Sequence, residues 1–130
     1  MPAPSSFDYA IVRVVPRVDR EEFINAGVIL YCLTRRYLEA RVELDERRLQ
    51  ALAPDADVEL IRSHLESIPR LCVGGKTAGP IGQLPQKERF HWLVAPRSTM
   101  IQTGPVHSGL CEAPKQALEH LLQRMVRPLR

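Results

Sequence analysis

The sequence predicts an α+β domain: a mostly antiparallel sheet of about four strands, with helices packed on one face. Three observations carry that expectation. Apolar, β-branched runs fill the first third of the chain, and two of them are separated only by a short polar turn. Helical periodicity replaces strand periodicity in the middle and again at the end. The order of strands, helices, strand, helix lacks the regular alternation that builds a parallel sheet.

Residues 1–6 are rich in Pro and Ser and are expected to form a loose tail ahead of one domain over 7–130. "FDYAIVRVV" (Phe7–Val15) reads as a strand bounded by Pro16. Its alternation puts Phe7, Tyr9, Ile11, Arg13 and Val15 on one face and Asp8, Ala10, Val12 and Val14 on the other, so both faces are largely apolar. Residues 16–25 form a charged connector. "AGVILYCL" (Ala26–Leu33) is a continuous apolar run, as a central strand requires. After the turn "TRR", residues 37–44 alternate cleanly, which predicts an antiparallel hairpin with the preceding strand. Asp45 is placed to cap a helix ended by Pro54, with Leu44 and Leu49 as a hydrophobic staple. A second helix is expected over about 56–68, with Val58, Ile61, Leu65 and Ile68 inward. Residues 74–85 hold four glycines and two prolines and read as a loop. Residues 86–95 fit a short helix or a strand. Residues 98–103 read as a strand, 104–109 as a turn, and about 113–127 as a helix with Leu118, Leu121, Leu122, Met125 and Val126 on one stripe.

The 130 residues are enough for one real core, and 45% hydrophobic with 25% charged is the balance of a globular chain. A net charge of +3 is too mild for a dedicated nucleic-acid binder. Among the basic residues fifteen are Arg and three are Lys, a bias that GC-rich coding explains as well as anion binding does. Cys32, Cys72 and Cys111 lie far apart, without metal-ligand spacing. An odd cysteine count without a secretion signal at the N-terminus predicts a reducing, cytoplasmic setting. No apolar run is long enough to cross a bilayer.

No familiar catalytic signature is present: no GxSxG, no phosphate loop, no HExxH and no dinucleotide fingerprint. "GGKTAG" has the residue types of a phosphate loop without its spacing or flanking elements. The densest chemistry lies in "ERFHWLVAPRSTMIQTGPVHSGL", residues 88–110. There His91 and His107 could act as acid and base or ligate a metal, although Glu88 is the only carboxylate nearby in sequence. Arg97 could grip a carboxylate or phosphate as a fork, with Ser98 and Thr99 adding donors. Trp92, the only tryptophan, could pack in the core or anchor a partner. Gln102 adds a polar group inside a structured segment. Arg13 sits on an apolar strand face and needs a mate, for which Glu21, Glu22 and Asn25 are nearby.

The segments "FDYAIVRVVPRVDREEFINAGVIL" and "RFHWLVAPRSTMIQTGPVHSGL" together resemble an uncharacterised bacterial family of short proteins, a domain of unknown function of the DUF3037 type. The resemblance spans roughly residues 7–127. Its members are similar to one another at Arg13, Glu22, Phe23, Asn25 and Gly27, and at Phe90, Trp92, Pro96, Arg97, Ser98, Gln102, Pro105, His107 and Gly109. It implies no activity, cofactor or catalytic residue. It does imply a protein partner, a kinase similar to the HipA toxin kinases.

The residues support three functional readings. The leading one is a non-catalytic accessory or binding module without cofactor or metal. Its surface over 88–110, joined by Arg13, Glu22 and Asn25, would engage a protein partner or an anionic ligand. The second is a phosphoryl or phosphodiester enzyme using His91 or His107 with Arg97. The third is weak nucleic-acid binding through Arg17, Arg20, Arg35, Arg36, Arg47 and Arg48, interrupted by acids. All depend on the first strand folding back beside the late, proline-punctuated segment.

Overall fold

The β-branched run that opens the chain becomes an interior strand. In a computed structural model, which describes residues 3–129, β1 (Ser5–Val14) pairs antiparallel with β2 (Ile24–Cys32), and β2 pairs with β3 (Tyr37–Val42). The strand therefore begins inside the stretch expected to be a loose tail. Ser5 and Ser6 are held because they pair with Cys111 and Leu110; residues 1 and 2 lie outside the described residues.

The far edge of β1 is shared by two short strands. β4 (Ile101–Thr103) pairs with Val12–Val14, and β5 (His107–Cys111) pairs with residues 5–9. Between them the Gly104 N–H still donates to the Ile11 carbonyl at 2.9 Å. This makes five strands rather than about four. The segment expected to be a turn over 104–109 is half strand, because ladder bonds to β1 outweigh its Gly and Pro content.

Helices cover both faces of this α+β sheet, not the one expected. The face of Val12, Val14, Ile29, Tyr31, Leu38 and Ala40 packs against α1 (Glu46–Leu52), α2 (Val58–Val73) and α4 (Gln86–Leu93) through Leu49, Ile61, Leu65, Phe90 and Leu93. The opposite face of Phe7, Val28, Leu30 and Cys32 packs against Leu118, Leu121 and Leu122 of α5 (Pro114–Met125). Each such Leu or Ile contributes roughly 1.5–3 kcal/mol by leaving water. In β2 the inward residues switch from Ile24 and Ala26 to Ile29 and Tyr31, so the parity changes along the strand. The cause is a bulge: Val12 faces Gly27 and Arg13 faces Asn25, which leaves Ala26 as an extra residue. Asn25 thereby stays on the α5 side, where its amide reaches the Met125 carbonyl.

The cap at Asp45 is as the sequence predicts, and a second at Asp57 starts α2 two residues later than expected. Asp45 accepts from the Arg48 N–H and Asp57 from the Leu60 N–H, each at 3.1 Å. α2 runs five residues beyond its expected end at 68, through Pro69. Proline removes one backbone bond, but Ile68 and Cys72 remain buried on the same stripe, and packing decides. Gly74, at φ 78°, then ends it. The loop over 74–85 holds a 3-10 turn (Lys76–Ala78) and the single helical turn α3 (Gly79–Gly82).

Behind α5, Arg127 grips Glu43 through two bonds of 2.9 and 2.8 Å and reaches Glu119 at 3.0 Å. The Arg127 hydrogen bond holds the Glu43 carboxyl below its ordinary range. A depressed folded pKa adds stability above the unfolded value, and that stability is lost as pH falls through the folded one. Thermal unfolding from pH 6 down to pH 3 should therefore lower the midpoint more in the wild type than in Glu43→Gln.

Candidate functional site

The bulge and the split edge bring the first strand and the late segment together. Arg13 on β1 is flanked in register by Asn25 on β2 and Gln102 on β4. An open cavity of about 370 Å³ lies here, lined by Arg13, Val15, Val18, Glu21, Phe23, Arg97, Ser98 and Gln102. The first strand and the proline-punctuated segment thus share one concavity.

Arg13 is held without a counter-ion among the described residues. Its guanidinium lies 4.2 Å from the centre of the Phe23 ring. On the other side it presses on Gly104, where an added Cβ would come within 2.9 Å of Nη2 and 3.0 Å of the guanidinium carbon. Its Nε is buried with no hydrogen-bond partner among the described residues. The expected mates lie elsewhere. Glu22 pairs with Arg20, and Asn25 donates to the Met125 carbonyl at 2.9 Å. Glu21, whose backbone is left-handed at φ 59°, lines the cavity without an ion pair to either arginine.

Arg97 is the second cation of the cavity. It stacks 4.1 Å from the centre of the Trp92 ring and donates to the Trp92 carbonyl. It too has no carboxylate partner among the described residues, and burial lowers its pKa. Gln102 is fixed by its amide, which donates to the Thr99 carbonyl at 2.8 Å, and Thr99 donates to the Ile101 carbonyl at 2.9 Å. The Gln102 amide oxygen and the Ser98 hydroxyl remain available in the cavity. Two stacked guanidiniums facing one polar hollow can bind a single negative charge strongly, since aromatic support fixes their orientation before a ligand arrives.

Other candidates are not part of this arrangement. His107 lies against the Tyr9 ring, 5.5 Å between centres, on the α5 face. His91, on α4, lines a separate hollow of about 270 Å³ with Asp8, Tyr31, Thr34 and Lys87. The sheet separates the two imidazoles, and neither lines the arginine cavity. Thr99 faces a neighbouring apolar groove. Among the described residues no three His, Cys, Asp or Glu side chains cluster as metal ligands.

Sequence reasoning missed Val18, gave Phe23 no role beyond the family resemblance, and named Glu21 only as a mate for Arg13, whereas all three line the cavity from a connector that reads as merely charged. It also missed Arg89, which is 8% exposed and donates to the Leu71 and Cys72 carbonyls at 3.0 and 2.8 Å. No periodicity signals it, because it sits in a charged "KER" run.

Fold and site together define an α+β domain with an antiparallel five-stranded sheet and a cationic, aromatic-walled cleft at its split edge. The chain belongs to the family described as Protein of unknown function (DUF3037), which it matches over residues 9–126. No curated protein and no solved structure matches it.

Gly104 positions the first cation. Gly104→Ala should push the Arg13 guanidinium off Phe23 and weaken anion binding on the order of tenfold, a change in orientation rather than in charge. Titration calorimetry with a capped tri-glutamate peptide reads this directly, and near-identical unfolding midpoints would show that the fold tolerates the methyl.

Proposed function

We propose that the protein is a non-catalytic binding module of the bacterial cytoplasm that captures an acidic side chain of a protein partner between Arg13 and Arg97. One observation carries the reading: two guanidiniums, each stacked on an aromatic ring and neither paired with a carboxylate among the described residues, line the same cavity. Unpaired cations held this way are preorganised for an incoming acceptor. Glu21 in the lining offsets part of the positive charge, which suits a singly charged carboxylate better than a doubly charged phosphate. With no imidazole in the cavity, the acid–base chemistry of a phosphoryl-transfer enzyme has less support than binding. The nucleic-acid reading is weakened because Arg17 pairs with Asp55, Arg20 with Glu22, and Arg48 with the Val126 carbonyl. A HipA-like kinase is the first partner to try, on the family resemblance alone.

The test is calorimetric titration of capped tri-glutamate and tri-glutamine peptides into the wild type and Arg13→Met/Arg97→Met. Binding of the glutamate peptide only, weakened by salt and lost in the double variant, is the expected result. Equal affinity for the two peptides, or unchanged affinity in the double variant, overturns the reading.

A further inference from the structure

We propose that the arginine cavity is one end of a track that takes an extended peptide segment of a partner, with a carboxylate first and two apolar side chains after it. This rests on the carboxylate-binding reading above and adds the order and chemistry of the side chains next to the charge.

Arg97 is a shared wall. On one side it lines the polar cavity with Arg13. On the other it borders an open groove of about 310 Å³ lined by Ile68, Leu71, Leu93, Met100 and Ile101. Trp92 is the next shared wall. It lines that groove and also a recess of about 270 Å³ with Leu71, Pro80 and Ile81. Three hollows therefore adjoin in sequence: Arg97 is common to the first and second, and Trp92, with Leu71 and Ser67, to the second and third. The first is polar and the other two are mostly apolar.

Trp92 is 40% exposed, although Phe90 and Leu93 beside it on α4 are buried. Helical spacing turns Trp92 away from the core that these neighbours fill. A large ring left partly in water, with a guanidinium stacked on it and a hollow on either side, has the character of an interface anchor. Adjoining modest hollows with shared side-chain walls suit the alternate side chains of an extended segment, since every second residue of a strand points the same way. Charge favours the same ligand. No acid lines either apolar hollow, their rims carry His64 and Arg70, and Glu21 is the one carboxylate lining any of the three. The expected pattern is carboxylate, spacer, apolar, spacer, apolar.

Trp92 is the only tryptophan, so its emission reports occupancy of the track without a label. The probes are a capped peptide Gly-Glu-Ser-Leu-Ser-Phe-Gly, the same peptide with Gln for Glu, the same peptide with Ser for both Leu and Phe, and oligothymidylate. The first peptide should shift the emission, and each altered peptide should bind at least about tenfold more weakly. If the Ser-substituted peptide binds as tightly as the first while the Gln peptide does not, the track is refuted and the arginine site stands. If the Gln peptide binds as well as the first, the carboxylate reading falls. A shift with oligothymidylate and none with any peptide overturns the track in favour of nucleic acid, and no shift with any probe overturns it outright.

Discussion

Arg13→Met will leave the fold as stable as the wild type, or more so, while lowering affinity for an acidic ligand on the order of a hundredfold. The two halves of that result have one cause. The Arg13 Nε is buried and makes no hydrogen bond among the described residues, which costs about 1–3 kcal/mol for a polar group left unsatisfied. Contact with the Phe23 ring returns roughly 0.5–1 kcal/mol at a half-exposed site. Methionine keeps the stem, fills the space beside Phe23 and removes the orphaned donor. In the complex, by contrast, the guanidinium would make a charge-assisted bond whose loss strands the ligand's carboxylate. Thermal unfolding and calorimetry on the same sample measure both halves. A fall in the midpoint of more than about 5 °C would make Arg13 a structural residue and dismiss this account.

Arg89→Met should do the opposite, destabilising by about 3 kcal/mol without touching the cleft. Arg89 lies under the end of α2, where the last carbonyls have no partner within the helix. Its Nη1 satisfies two of them, those of Leu71 and Cys72. Hydrogen bonds from a charged donor are worth roughly 1.5–3 kcal/mol each, and methionine would leave both acceptors bare. That loss outweighs the about 1–3 kcal/mol recovered from the Arg89 Nε, which is itself buried without a partner among the described residues. The expected fall in midpoint is on the order of 10 °C. Gly74→Ala should fail at the same joint, because Gly74 has φ 78° and an added Cβ would collide with the Arg89 Nη1. The double variant should lose less than the sum of the two. Strictly additive losses would mean that the two residues act separately.

Elements marked by periodicity are legible in the sequence. The hairpin of β2 and β3, the cap at Asp45 and the stripe of α5 apart from Met125, which is exposed, follow from spacing that needs no knowledge of distant contacts. The elements that escape it depend on partners far away in the chain. β5 has exposed, polar positions, so no alternation marks it, and only pairing with β1 makes it a strand. α2 passes Pro69 because burial of Ile68 and Cys72 outweighs one missing bond. The two apolar faces of β1 and the unbroken apolar run of β2 do announce cover on both sides, but which helix supplies the second depends on α5 crossing behind β2.

The site divides in the same way. Arg13, Arg97, Ser98 and Gln102 stand out in the sequence because polar groups within apolar segments are expensive, and the structure gathers these four. His91 and His107 are close in sequence, whereas one rides on a helix and the other on a strand facing the other way. Glu22 is a candidate by proximity to Arg13, yet just before β2 it reaches Arg20 first.

The break between β4 and β5 also bears on solubility. A full-length outer strand beside β1 would offer a long row of free amides and carbonyls to any other extended chain. Here that row is cut to three and five residues, with Pro105 at the gap. The irregularity that hollows out the cleft therefore also guards against fibril-like stacking, and smoothing it into one unbroken strand would trade a ligand site for an aggregation-prone edge.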